Sequence, residues 1–240
     1  MLSAPTASTE KVDKKDQAAK LFDNGEEEEA LSLYNSLIEH HSDDVEIVWK
    51  TSMLYVRVGG RIEEDDERER YFDKALDNAE RALNLDDSLA DVHFNYAVVL
   101  GRIAEDQSAE EAMEVSEKIR EHSERALEID PGHEGAMHVL GMWHKRMANL
   151  SFIERTAVNA LYGGVPDDVS KEKAKKYLSK AVEYEPEMLT YTFELAKFFS
   201  EEGDTDKAKK LFRKVIKMEP RFKNDPEIKQ EAEELLSQLG

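Results

Sequence analysis

The amino-acid sequence predicts an all-α protein built from a series of amphipathic helices. Apolar residues recur at spacings of three and four along most of the chain, whereas the period-two alternation of a half-buried β-strand is almost absent. The 6 Pro and 11 Gly residues lie mostly between these periodic segments, where they end helices. Twelve helices are predicted, at Lys11–Asp23, Glu26–His41, Asp44–Val58, Glu64–Asn84, Ser88–Ile103, Ala109–Ile129, Glu134–Met147, Leu150–Leu161, Ser170–Tyr184, Met188–Glu201, Thr205–Met218 and Asp225–Leu239.

Turn and capping residues support these boundaries. Ser108 followed by Glu111 forms a capping-box pattern at the start of the sixth predicted helix. Residues 1–10 precede the first helix, and we expect a disordered tail there, followed by a single domain over residues 11–240. The breaks between helices carry Asn24-Gly25, Gly59-Gly60, Pro131-Gly132, Gly163-Gly164 and Glu202-Gly203-Asp204.

The composition of the chain excludes several classes of function. The 33 Lys and Arg residues against 53 Asp and Glu residues leave a net charge of −20 at pH 7, which argues against broad binding to nucleic acid or anionic lipid. The chain contains no Cys, which excludes a disulfide framework, a thiolate nucleophile and a Cys-based zinc site and fits a reducing compartment. No apolar run approaches the roughly 18 residues of a membrane span, and the N-terminus lacks the apolar core of a signal peptide. We therefore expect a cytoplasmic protein with no membrane span.

A repeated pattern groups the helices into pairs. The segments ALDNAERALNLDDS, HSERALEIDPGH, AKKYLSKAVEYEPE and AKKLFRKVIKMEPR share an amphipathic helix that ends in an acidic break. Their corresponding residues Ala82, Ala126, Ala181 and Val215 lie 44, 55 and 34 residues apart, and a 34-residue unit of two antiparallel helices is typical of a tetratricopeptide repeat. We expect a tetratricopeptide-repeat-like superhelix of about five helix pairs, with extended or extra helices in the middle units and Asp225–Leu239 as a C-terminal capping helix.

The long middle units resemble the regulator of microtubule dynamics family. The resemblance runs from about Val45 to the C-terminus, and its most specific part is Leu140, Gly141, Trp143 and the helix Leu150–Ala160. It implies association with spindle and cytoplasmic microtubules, a role in chromosome segregation and no enzymatic activity. Some vertebrate members are tethered to mitochondrial membranes and linked to lipid binding, but their membrane segment is not recognisable in this sequence.

The repeat also predicts which side chains face its concave groove. In each unit, positions 2, 5, 9 and 12 of the first helix lie on one side, because spacings of three and four share a helical face. With Ala18, Met53, Ala97, Gly141 and Ala196 at position 8, five of the twenty predicted groove positions are Lys or Arg and one is acidic. Two alternatives to a functional basic groove stay open: the basic residues fall at these positions by chance, and the aromatic residues pack in the core. The candidate partner-binding residues are Lys50, Arg57, Phe94, His138, Met142, Lys145, Phe193 and Lys197.

This basic groove predicts an acidic, extended peptide as the partner. Together with the family resemblance, it suggests the acidic C-terminal tails of tubulin in microtubules, and we expect no nucleic-acid partner. An outer basic patch on the eleventh helix is the alternative contact surface, although a solvated helix face is its simplest interpretation. The patch consists of Lys207, Lys209, Lys210, Arg213, Lys214 and Lys217.

A lipid-binding module is the alternative function. In the inserted helix at residues 149–161, an apolar cavity for lipid would be lined by Leu150, Phe152, Ile153, Ala157, Val158 and Leu161. No metal site is predicted, because His93, His133, His138 and His144 do not fall at i,i+4 spacing. No nucleotide-binding or metalloprotease motif occurs, so we expect neither a cofactor nor catalytic residues. The acidic runs Glu26–Glu29, Glu63–Glu67 and Glu231–Glu234 are interpreted as solvated helix starts and polar faces.

Overall fold

The computed structural model describes residues 7–105, 109–162 and 164–240, and within them it contains helices and no strand. This confirms the predicted all-α class, and each predicted helix has its counterpart. The helices are α1 (Ala7–Asp23), α2 (Glu27–Ile38), α3 (Val45–Gly59), α4 (Asp65–Leu85), α5 (Ala90–Glu105), α6 (Ala109–Ile129), α7 (Glu134–Ala148), α8 (Phe152–Tyr162), α9 (Lys171–Tyr184), α10 (Leu189–Glu201), α11 (Thr205–Lys217) and α12 (Asp225–Gln238).

The first helix begins earlier than its sequence suggested. Helix α1 starts at Ala7 rather than Lys11, so residues 7–10 of the expected tail are helical. Residues 1–6 of that tail lie outside the described part of the chain, as do Ser108 of the capping box and Gly163 of one predicted turn.

Polar side chains fix the starts of several helices. The carboxylate of Asp44 accepts a hydrogen bond from the backbone N–H of Ile47, and Ser170 and Asp204 cap α9 and α11 in the same way. At α7 the cap is His133, whose Nδ1 accepts from the N–H of Ala136 at 3.1 Å. His133 therefore has a structural role in helix capping.

The contacts divide the chain into two compact units. Unit 1 comprises residues 1–103 together with Arg221–Lys223, and unit 2 comprises residues 104–220 and 224–240. In unit 1, α1 contacts α2, and α2 and α4 both contact α3. The Ser52 hydroxyl donates to the carbonyl of Ala75 at 2.7 Å, which joins α3 to α4. The expectation of a single domain at 11–240 stays a prediction.

Unit 2 is built around helices α7, α9, α10 and α11. Helix α7 packs on α9 and α10 on α11, while α12 covers an apolar cluster that includes Phe199 and Phe212. Gly141 of α7 lies so close to α9 that a Cβ atom there would be 2.9 Å from Cγ of Leu178. Helix α8 is inserted between α7 and α9, and α4 and α6 are each 21 residues long, as the prediction of extended or extra helices required.

The positions that defined the repeat are buried in the structure. Ala18, Ala97 and Ala196 at position 8 are each 0% exposed, and Met53 is 3% exposed. The aligned residues of the second helices are also 0% exposed, namely Ala82, Ala126, Ala181 and Val215. Small buried residues let paired helices approach closely, so the repeat pattern reflects packing.

Candidate functional site

The predicted groove residues Lys50 and Arg57 both lie on α3 in unit 1. The Lys50 ammonium is 5.5 Å from the ring centroid of Phe22 and 5.6 Å from that of Trp49. It also donates to Glu46 Oε1 at 2.8 Å, and its side chain is only 13% exposed. Lys50 is therefore packed against rings and paired with a carboxylate.

Glu46 is shared between two cations. Lys15 of α1 lies 2.9 Å from Glu46 Oε2 and also contacts Asp44 at 3.0 Å. Burial alone would raise the pKa of Glu46, but hydrogen bonds and the positive charges of Lys15 and Lys50 lower it below its ordinary value. This part of the predicted groove thus contains bases and acids in contact.

Arg57 contacts two aromatic rings. Its guanidinium carbon lies 4.9 Å from the ring centroid of Phe22 and 4.8 Å from that of Phe222. A cation over two ring faces is stabilised by both quadrupoles. Its Nη1 atom is 3.9 Å from Oε1 of Glu27, whose buried carboxylate also accepts from Arg61.

The remaining predicted residue of unit 1, Phe94, lies on α5 and is partly buried. The other groove candidates belong to unit 2.

Lys145 and Lys197 come together in unit 2 around one acidic side chain. Glu194 of α10 lies 3.8 Å from the Lys145 ammonium and 3.5 Å from that of Lys197. Lys145 also pairs with Glu201 at 2.8 Å, and Lys197 with Glu231 of α12 at 3.6 Å. Burial would lower the pKa of Lys197, but Glu194 and Glu231 raise it above its ordinary value.

The three uncharged groove candidates of unit 2 pack against other side chains of that unit. The ring of His138 stacks on that of Tyr191, with centroids 4.6 Å apart. Met142 packs against the apolar cluster of α10 and α11. Phe193 is 3% exposed and packs on Phe212, so its ring is part of the core. Its contact with a partner would therefore be small.

Sequence reasoning missed the acidic partners of the groove cations. Glu46 precedes Lys50 by four residues and Glu194 precedes Lys197 by three, which is the spacing of ion pairs along a helix. Those two pairs were visible in the sequence. The contacts of Lys145 with Glu201 and of Lys197 with Glu231 depend on how helices pack, and no local pattern predicts them.

The outer basic patch on α11 has a different character. The buried side of this helix is formed by Ala208, Phe212 and Val215, so its cations point away from the core. Lys207 pairs with Asp204, while Lys209 and Lys214 donate to the backbone carbonyls of Gly240 and Pro186. Within the described residues, Lys210, Arg213 and Lys217 are exposed and have no acidic partner.

These cations line a shallow depression in unit 2. The depression has a volume of about 660 Å³ and is lined by Glu187, Lys210, Arg213, Lys214, Lys217, Met218 and Glu219. Four cations outnumber the two glutamates of this depression, and Met218 adds an apolar contact. The surplus of positive charge favours an extended acidic segment, because carboxylates form charge-assisted hydrogen bonds to Lys and Arg.

The described side chains of the inserted helix α8 and of Leu150 before it do not converge on one apolar cavity, so they do not support the expected lipid site. Leu150 and Val158 pack into the cluster around Trp143, whereas Phe152 and Ile153 are 85% and 80% exposed and Ala157 is exposed as well. The side chain of Leu161 lies outside the described residues. The side chains predicted to line one cavity therefore divide between core and solvent.

Among the side chains that the structure describes, those of residues 12–105, 113–160 and 164–240, no three His, Asp or Glu residues converge as metal ligands would. Among the helices of residues 7–105, 109–162 and 164–240, none is both long and apolar enough to cross a membrane.

Comparison with known proteins gives a family match over most of the chain. A family model described as regulator of microtubule dynamics protein 1-3 matches residues 15–240. Regulator of microtubule dynamics protein 1 of Mus musculus is 27% identical over 172 residues, covering 71% of this chain and 55% of the mouse protein. Regulator of microtubule dynamics protein 3 of Xenopus laevis is 26% identical over 148 residues, covering 62% of this chain and 32% of the frog protein. The chain thus spans about a third to just over half of the length of these relatives.

A solved structure supports the fold. The crystal structure of a thermophilic TPR protein from Thermus thermophilus matches with a TM-score of 0.67 and 14% sequence identity. The match covers 95% of this chain and 99% of that protein, and it shows the tetratricopeptide-repeat fold that the sequence predicted.

Proposed function

The chain belongs to the regulator of microtubule dynamics protein 1-3 family, and from this premise we propose that it is a non-enzymatic interaction scaffold that associates with microtubules. Its tetratricopeptide-repeat fold is typical of proteins that bind other proteins through surfaces of stacked helices. The proposed location is on spindle and cytoplasmic microtubules, and the proposed role is to support spindle function and chromosome segregation.

The observation that carries this proposal is the basic face of α11. A chain with a net charge of −20 repels an acidic polymer as a whole, so attraction requires a local concentration of cations. Lys210, Arg213 and Lys217 provide it, because they are exposed and have no acidic partner among the described residues. Acidic tubulin tails are the partner that this face fits.

The groove is the second proposed contact. Each of its four cations already lies within 4 Å of a carboxylate of the chain: Lys50, Arg57, Lys145 and Lys197. An incoming acidic peptide has to replace those carboxylates, so little free energy is gained by the exchange. The α11 face, whose cations need no exchange, therefore makes the stronger contact.

Microtubule co-sedimentation with three variants tests which surface binds. The α11 variant carries Lys210→Glu, Arg213→Glu and Lys217→Glu, and the groove variant carries Lys50→Gln and Lys197→Gln. The control variant carries Lys20→Glu, Lys74→Glu and Lys118→Glu, which change the net charge as much as the α11 variant at exposed cations elsewhere. Binding is measured at several salt concentrations and with tubulin whose acidic tails have been removed.

We expect the α11 variant to bind about a hundredfold more weakly than the control variant. Each charge reversal costs on the order of 1 kcal/mol per contact in water, and each 1.4 kcal/mol is a factor of about ten in affinity. Binding of the unaltered chain should fall with added salt and with removal of the tails. Loss of binding in the groove variant alone would instead assign the contact to the groove, and equal binding by all variants would contradict both surfaces.

A further inference from the structure

Three consecutive residues between α11 and α12 bind to α1–α3 of unit 1 as a short peptide would. Arg221 Nε donates to the backbone carbonyl of Asp23 at 2.9 Å. The next residue, Phe222, places its ring 4.8 Å from the guanidinium carbon of Arg57. Lys223 Nζ lies 3.9 Å from Glu28 Oε2. Each of the three side chains therefore has its own contact in unit 1.

The backbone of this segment also lies directly against Gly25. A Cβ atom on Gly25 would overlap the carbonyl oxygen of Arg221 and would lie 3.2 Å from the Phe222 ring. Gly25 has φ of +74°. This backbone conformation ends α1, and residues other than Gly rarely adopt it. The same residue thus makes the turn and leaves room for the peptide backbone.

The surface that receives Phe222 is organised by contacts within α1–α3. The guanidinium carbon of Arg57 also lies 4.9 Å from the ring centroid of Phe22. Glu27, which is 1% exposed, contacts both Arg57 and Arg61. The Arg57 guanidinium thus has contacts with α1 and α2 in addition to its contact with Phe222.

The rim of this surface is acidic. Asp23, Glu26, Glu28 and Glu29 are exposed around the turn at Gly25. Burial alone would raise the pKa of Glu28, but Arg61 and Lys223 lower it below its ordinary value. The rim therefore complements a segment with a positive charge on both sides of an aromatic residue.

We propose that this surface, the Gly25 site formed by Phe22–Glu28 and Arg57, is a recognition site for a short peptide that carries a basic residue on each side of an aromatic residue. Arg221–Lys223 is its ligand within the chain. Because a tethered ligand has an effective concentration in the millimolar range, an outside peptide of the same kind binds only when this segment has left the site. The proposal does not depend on binding to microtubules.

Fluorescence anisotropy with a labelled peptide tests the proposal on the full chain. The probe has the sequence of residues 218–225, MEPRFKND. The opened variant carries Arg221→Ala, Phe222→Ala and Lys223→Ala, and circular dichroism checks that it keeps its helices. We expect the opened variant to bind the probe about tenfold more tightly than the unaltered chain, because its own segment no longer competes.

Two comparisons make the result specific. A probe in which the central Phe is replaced by Ala should lose binding to the opened variant, and Glu28→Gln in that variant should weaken binding of the intact probe. A control chain with Lys210→Ala, Arg213→Ala and Lys217→Ala keeps the segment in place and should bind as weakly as the unaltered chain. The proposal is overturned if the opened and unaltered chains bind the probe equally, or if the probe binds equally well without its Phe.

Discussion

The Glu27 side chain is a buried carboxylate within a run of acidic residues. The run Glu26–Glu29 was expected to be a solvated helix start, yet Glu27 is 1% exposed. It is buried because Arg61, 34 residues later, and Arg57 supply positive charges at that point. Since the partners lie outside α2, the local sequence of that helix does not distinguish Glu27 from its solvated neighbours.

Substitution of Gly25 tests the close approach of the backbone at residue scale. Gly25→Ala should lower the free energy of unfolding by about 1–3 kcal/mol, because alanine is strained at a positive φ. The loss should exceed that of a strained backbone alone, because the added Cβ would also overlap the carbonyl oxygen of Arg221. Gly203→Ala is the matched control, since Gly203 has φ of +77° and a Cβ added there would meet nothing within 4 Å. Urea unfolding of both variants measures the difference, and equal losses would show that the contact with Arg221 contributes nothing.

The buried side chain of His144 should make the stability of unit 2 fall at acid pH. Its ring is 1% exposed, 5.0 Å from the Trp143 centroid and 5.7 Å from that of Tyr177. Burial lowers the pKa of His144 from 6.5 to about 4, with the positive charges of Lys173 and Arg120 adding to the effect and Asp168 opposing it. The unfolded chain therefore binds a proton below about pH 6.5 that the folded chain excludes, and stability falls as the pH drops from about 6.5 towards 4.

His144→Phe should remove this part of the pH dependence. The effect in the unaltered chain amounts to about 2–3 kcal/mol between neutral pH and the folded pKa. Phenylalanine keeps a flat ring between Trp143 and Tyr177, and Nδ1 of the imidazole has no hydrogen-bond partner within the described residues. Urea unfolding of both proteins at about pH 7 and about pH 4.5 measures the effect. An identical loss of stability in both would show that other groups cause it.

At the scale of elements, α12 acts as the cap of unit 2. Ala232 is 0% exposed, and Ile228, Leu235, Leu236 and Leu239 pack against the cluster of α10 and α11. Removing residues 225–240 should expose that cluster, lower the melting temperature and promote self-association, because the end of a repeat array needs a polar outer face. Light scattering and thermal unfolding provide the measurement. A truncated chain that stays monomeric and melts unchanged would contradict the capping role.

The elements were predictable because their ends carry local signals. Asp44, Ser170 and Asp204 cap the starts of α3, α9 and α11, and each of those helices begins within a residue of its predicted position. Helix α1 was placed too late, because its first turn, Ala7–Glu10, contains no large apolar residue that shows a period. The local sequence thus predicts where a helix begins when a capping residue or an apolar stripe is present.

The candidate surfaces were predictable only in part. The positions of Lys50, Lys145 and Lys197 follow from the helical period, but their exposure does not. The side chains of Lys50 and Lys145 are 13% and 11% exposed. Two rings and Glu46 contact Lys50, and Glu194 and Glu201 contact Lys145. The docking of Phe222 on Arg57 joins residues that are far apart in the sequence, and only tertiary structure reveals it.

At the scale of the whole molecule, the net charge of −20 affects stability as well as binding. Like charges repel in the folded chain, and salt screens them, whereas exposed ion pairs contribute little that salt can remove. We expect the melting temperature to rise by about 2 °C or more between about 20 mM and about 200 mM sodium chloride, since 1 kcal/mol corresponds to about 2–4 °C at this size. A fall in melting temperature over that range would show that ion pairs outweigh the repulsion.

The sharing of one carboxylate by two cations, as at Glu194, has a consequence for the engineering of tighter binders. Glu194→Gln would release Lys145 and Lys197 from a common counter-ion at once, while each keeps a second acidic neighbour, Glu201 or Glu231. Such a change makes the electrostatic potential around these two lysines more positive without adding a basic residue. A library that aims at higher affinity for acidic ligands should therefore begin with substitutions that delete acids, and Glu46, which serves Lys15 and Lys50 in the same way, is its second position.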